Sequence, residues 1–172
     1  QNYEVRMSDL KTNLYNELSR IEEDSLYSMK GHYNASERWR WWYNALGIIN
    51  VICSVVAGIT AFSEIEIAIK IAAIITAIVT GLTTFLECSK KAESHKMSGN
   101  SFLKIKNKAR YLREVKSKVI SDEECDRLVN ELLEQKDELN SISLAIPNFA
   151  YEKAQTEIEN GFADYRIDSK KD

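Results

Sequence analysis

The chain has 172 residues, 23 Lys+Arg against 26 Asp+Glu, six Gly and a single Pro. That length suits one folded unit, and so little Gly and Pro argues against a turn-rich β sandwich or barrel and against a disordered chain. A formal net charge of −3 excludes a generally basic nucleic-acid binder, and no nucleic-acid partner is expected.

The charge is unevenly spread: residues 1–40 carry −1, residues 41–86 carry −1, residues 87–119 carry +7 and residues 120–172 carry −8. The N-terminus lacks the basic-then-apolar pattern of a secretory signal, and its lack of Met suggests leading residues missing or trimmed. Met7, Leu10, Leu14, Leu18 and Ile21 recur at three- and four-residue steps, which predicts an amphipathic helix over residues 3–30.

From Trp41 to Ser63 no residue is charged, enough to cross a hydrocarbon layer of about 30 Å at about 1.5 Å per residue. A second apolar run, Ile65 to Leu86, carries Glu66 and Lys70 only at its start, where they can pair and reach the interface. Two spans, 41–62 and 65–86, joined by so short a turn form an antiparallel hairpin with both ends on one side. Arg38, Arg40, Lys90, Lys91 and Lys96 flank those ends, so the positive-inside bias puts both termini in the cytoplasm. Trp39, Trp41, Trp42 and Tyr43 sit where an interfacial aromatic belt belongs. A soluble helical protein that buries the hairpin until triggered is the competing reading.

Beyond the spans, Phe102, Ile105, Ala109, Leu112, Val115 and Val119 predict a further amphipathic helix. Ser121 with Glu124 is a capping-box signature opening another through Leu128, Leu132, Leu139 and Ile142. Pro147 ends it or opens the next, Asn148 to Asn160, with Gly161 as a left-handed cap. The expected fold class is therefore all-α: a two-span transmembrane hairpin (41–86) whose helices extend into a cytoplasmic bundle built from an N-terminal helix (1–40) and a helical region (87–172). Pairing the +7 segment with the −8 segment as antiparallel helices is the simplest account of the charge. Anionic lipid is one alternative, and an anionic nucleotide or nucleic-acid partner, which no phosphate-cradling Gly-rich loop supports, is the other.

A turn centred between Ser63 and Glu64 sets residues summing to 127 level with each other. Glu37 then faces Lys90, Arg40 faces Glu87, and His32 faces His95. The first four are candidates for a cytoplasmic mouth or clasp, and the histidines for gating or sensing near neutral pH. Gly31 and Gly99, near the same depth, fit a hinge or two tolerated helix glycines.

No catalytic constellation is found: there is no zincin, nucleophile-elbow, P-loop or dinucleotide motif, so neither an enzyme nor a cofactor or metal is expected. Cys53, Cys88 and Cys125 give no disulfide framework or ligand cluster. Polar groups within the spans carry more information. Asn50 and Ser54 in the first, and Thr76, Thr80 and Thr84 in the second, are candidate pore-lining residues, beside a small-residue face of Ala73, Ala77 and Gly81. Helix packing and a water-lined pore both fit them. A pore requires several copies, so a homo-oligomer in a lipid bilayer is expected.

Lys30-Gly31-His32-Tyr33-Asn34 leads into the first span, Ala92-Glu93-Ser94-His95-Lys96 follows the second, and Ala145-Ile146-Pro147-Asn148-Phe149-Ala150-Tyr151 precedes Ala154 and Gly161. With the short hairpin, this order resembles the SLATT domain family, two-transmembrane effectors associated with prokaryotic nucleotide-signalled conflict systems. The resemblance covers roughly Leu26 to Tyr165. It implies an inner-membrane effector of antiviral defence, triggered by a sensor or nucleotide-producing partner to oligomerise and permeabilise the membrane as a gated pore. It brings no catalytic residues, and no separate sensor domain is visible in the chain. The alternative function is a non-conducting membrane anchor that recruits a partner through its cytoplasmic helices.

Overall fold

The computed structural model describes residues 2–60, 66–163 and 165. Among them all regular structure is helical: α1 (Asn2–Thr60), α2 (Glu66–Leu86), α3 (Cys88–Glu114), a 3-10 turn (Lys116–Lys118), α4 (Asp122–Ile142) and α5 (Asn148–Glu159). The expected turn at Ser63 and Glu64 lies outside the described residues.

The N-terminal amphipathic helix and the first span are one element, because α1 contains no proline and nothing else in it breaks the helical hydrogen bonds. The second span does not continue in the same way. Glu87 adopts a left-handed φ of 45° between α2 and α3, and its carbonyl then accepts from Lys91 N–H at 3.0 Å. The apolar row expected to reach Val119 ends at Leu112, since α3 stops at Glu114 and leaves Val115 and Val119 exposed. Ser121 caps α4, its Oγ accepting from Glu124 N–H at 3.3 Å. Pro147 opens α5, whose first turn has no use for the N–H that proline lacks. Gly161, at φ 75°, closes it.

The chain divides into two compact units, Gln1–Ala35 with Ser94–Asp172, and Ser36–Glu93. The borders lie outside the spans on both sides. The first unit is centred on Leu14, Leu18 and Ile21 of α1, Ile105, Ala109 and Leu112 of α3, and Cys125, Val129 and Leu132 of α4. Ion pairs join α1 to each of its neighbours: Glu22 to Arg113 at 2.9 Å, Asp24 to Lys136 at 2.8 Å and Lys30 to Glu157 at 3.1 Å.

The expectation that opposite charge zips α3 to α4 is corrected here. Among the described residues no ion pair joins them, and their contact is apolar with two polar bridges, Lys108 Nζ to Gln135 Oε1 at 3.0 Å and, at the α4 C-cap, Ser143 Oγ to Ser98 Oγ at 2.9 Å. Burying apolar side chains at the seam leaves the long charged ones to snorkel to its edges. Cys88 and Cys125 are buried, Cys53 is half-buried, and all three are free thiols.

Candidate functional site

The hairpin lies in the second unit. Its two arms run antiparallel: Ser36 Oγ donates to Ala92 O at 2.7 Å, Lys91 Nζ lies 4.6 Å from the Trp39 ring centre, and Leu46 packs with Val79 and Cys88. Successive residues turn about 100° around a helix, and on that wheel each arm has three faces. The seam is formed by Leu46, Asn50, Cys53 and Ala57 against Ile69, Ala72, Thr76, Val79, Thr83 and Leu86, all buried or half-buried. Those alternating steps of three and four are the spacing of knobs-into-holes packing. An exposed apolar face follows, with Ile48, Ile52, Val55 and Ile59 on α1, and Ile71, Ile74, Ile78 and Phe85 on α2.

The third face is small and hydroxylic. It holds Gly47, Ser54 and Gly58 on α1, with the exposed Val51 among them, and Ala73, Ala77, Thr80 and Thr84 on α2, with Gly81 at the border with the apolar face, all exposed. A Cβ added at Gly47, Gly58 or Gly81 would meet nothing within 4 Å. In both arms this face lies about a quarter turn beyond the seam in the direction of chain advance. Because the arms run in opposite directions, the two small rows open on the same side of the hairpin.

The five candidate lining residues are thus not one stripe. Ser54, Thr80 and Thr84 lie on the small face, whereas Asn50 and Thr76 lean into the seam. Three hydroxyls donate back to their own helix: Ser54 to Asn50 O at 2.8 Å, Thr83 to Val79 O at 2.8 Å and Thr84 to Thr80 O at 3.0 Å. The Asn50 side-chain oxygen is buried and accepts no hydrogen bond among the described residues.

At the charged end, Glu87 accepts from Lys90 at 3.4 Å, a local i,i+3 pair, so Lys90 turns to its own helix. Arg40 is exposed and makes no ion pair among the described residues, while Glu37 is exposed and has a partner of its own. The left-handed turn at Glu87 redirects its side chain away from the straight-helix register that set it opposite Arg40. Trp41 and Trp42 meet edge-on at 5.0 Å, and the Arg38 guanidinium lies 5.9 Å from the Trp41 ring.

The second candidate site lies in the other unit, where the three sequence stretches of the resemblance converge. His32 and His95, both 2% exposed, place their Nδ1 atoms 2.9 Å apart, so one ring donates and the other accepts. His32 stacks on Phe102 with ring centres 5.5 Å apart. Burial, and then the neighbouring His95, lower the His32 pKa from 6.5 to about 4, and burial lowers His95 as well. The expected titration near neutral pH is therefore corrected: desolvation disfavours the imidazolium, and the pair is neutral at pH 7.

Around it, Asn34 Nδ2 donates to Ala150 O at 3.3 Å and Tyr33 OH donates to Asn100 Oδ1 at 2.8 Å. Gly31 and Gly99 are neither hinges nor idle. A Cβ at Gly31 would meet Ile146 Cγ2 at 2.9 Å, and one at Gly99 would meet the Tyr33 ring at 2.8 Å. They are glycines because neighbouring side chains occupy that space. The packing of Ile146 and Ala150 onto α1 was not derivable from spacing alone, although two glycines inside helical patterns signal close approach. Among the described residues, no group of three or more metal-ligating side chains comes together.

Two helices are long and apolar enough to cross a membrane, and only 6% and 11% of their most apolar stretches are buried within the protein. Apolar surface so exposed does not fit a soluble resting state that hides the hairpin, and the fold defines an all-α membrane protein with a two-span hairpin. The chain belongs to the SMODS and SLOG-associating 2TM effector domain family 4, whose model matches residues 14–163. No curated protein and no solved structure matches it.

Proposed function

We propose that this membrane effector oligomerises through its hairpins and permeabilises the inner membrane in antiviral defence, with both termini in the cytoplasm. The observation that carries the reading is the small, hydroxylic face, where Ser54, Thr80 and Thr84 lie exposed beside glycines with open space above them. Such a face gains little from lipid, and it suits either close contact with another hairpin or a wet lumen. The hairpin acts on the membrane without catalysis. The family description supports a separate partner that supplies the trigger.

The test is dye-reported membrane potential in vesicles carrying the full chain. Ser54→Leu with Thr80→Leu should lower the permeabilisation rate by about tenfold, whereas Ile52→Leu with Ile78→Leu on the apolar face should not. Equal rates in all three proteins would discard the lumen. A non-conducting anchor is the second reading, and it is supported by the hydroxyls of Ser54 and Thr84 already bonding to their own helix. An anchor would tolerate replacement of both spans by leucine-rich helices.

A further inference from the structure

Along α3 and α4 an open groove in two parts runs from Ser101 and Ile142 at one end to Lys116 and Leu128 at the other, crossed midway by the Lys108–Gln135 hydrogen bond. It is about 20 Å long at the helical rise per residue. Ile105, Leu112, Leu132 and Leu139 form its floor, and the exposed Tyr111 and Ile142 stand at its edges. Its two rims carry opposite charge. Lys104 and Lys108 stand on the α3 rim, and Glu131 and Glu138 on the α4 rim.

The chain leaves these charges largely unused. Lys104 and Glu138 form no ion pair among the described residues, Lys108 meets only the neutral Gln135 amide, and Glu131 has Arg127 no closer than 3.9 Å. An apolar floor with one basic and one acidic rim is complementary to itself. A two-fold axis parallel to the helices sets α3 of one copy over α4 of the other. Lys104 then meets Glu138, and Lys108 falls between Glu131 and Glu138. A two-fold axis perpendicular to the helices would stack lysine on lysine and is disfavoured.

We propose that the α3–α4 groove is a homodimer interface, occupied by the same groove of a second copy with α3 lying over α4 in both directions. This deepens the oligomer reading above, but it uses residues outside the hairpin, so the two can fail separately.

The experiment measures self-association of the full chain in detergent micelles by light scattering and native mass spectrometry. Four proteins are compared: the native chain, Lys104→Glu with Lys108→Glu, Glu131→Lys with Glu138→Lys, and Ala77→Leu with Gly81→Leu in the hairpin. Each rim reversal alone should weaken association by about tenfold, because attraction becomes repulsion on both sides of a two-fold contact. Mixing the two reversed chains should restore it as a heterodimer, since one then offers two acidic rims and the other two basic rims. All four reversed side chains are exposed, or nearly so, and helical content by circular dichroism should not change.

Native-like association of both reversals, or failure of the mixture to recover, would overturn the proposal. If association is lost only in the hairpin variant, the oligomer reading survives and this interface does not. A monomeric native chain overturns both. Self-association lost in the reversals and regained in the mixture would leave no room for a foreign helix as the normal occupant.

Discussion

Gly99 and His32 show how much one position can carry. A methyl group at Gly99 would lie 2.8 Å from the Tyr33 ring, whose hydroxyl is tied to Asn100. Overpacking of about 1–3 kcal/mol should exceed the helix-propensity gain of about 1 kcal/mol. Gly99→Ala should therefore lower the melting temperature, while Gly81→Ala, with open space, should not. Acid acts through the histidines. The folded pKa of His32, about 4, lies below its unfolded value of 6.5, so the unfolded chain binds more protons between those limits. Stability is complete above pH 6.5 and is lost as pH falls toward 4, by on the order of 3 kcal/mol for this group. Denaturant melts at several pH values should show that slope, and His32→Gln should flatten it. The level placement of His32 and His95 was legible, because helical rise is fixed. Their neutrality was not, since it depends on burial against Phe102, a residue seventy positions away from His32.

At the scale of elements, the break after the second span is the point where pattern reading failed. Position 87 is a glutamate, which neither breaks nor kinks a helix by itself, yet it sits at φ 45°. That conformation costs an L-residue about 1–2 kcal/mol. Glu87→Gly should therefore stabilise the chain by about 1 kcal/mol, visible as a rise of a few degrees in thermal melting. The start of α4 was fully legible, because its cap is local: Ser121 reaches only to Glu124. Ser121→Ala should cost about 1 kcal/mol. The spans were legible for a similar reason, as a run without charge is visible in one window. Their division into three faces needed the seam, which only the packing of Leu46 and Val79 locates.

Over the whole molecule, what could not be read is what distant segments do to one another. Residues near 31, 95 and 150 meet in one core, and the opposite charges of α3 and α4 stand on facing rims without pairing. Order and spacing were enough to place the chain in its family, because a shared core keeps its segments in register even where their contacts are hidden. The three free cysteines, unremarkable as chemistry, have a practical consequence. Cys53 lies in the hairpin seam, Cys88 just past the Glu87 turn, and Cys125 in the core of the larger unit. Burial, then Asp122 and Asp126, hold the Cys125 thiol above its usual pKa and so slow its reaction with alkylating reagents. The unmodified protein thus carries three internal clocks, one for each region. Mass spectrometry of alkylated peptides, taken before and after a trigger, would tell which region opens first.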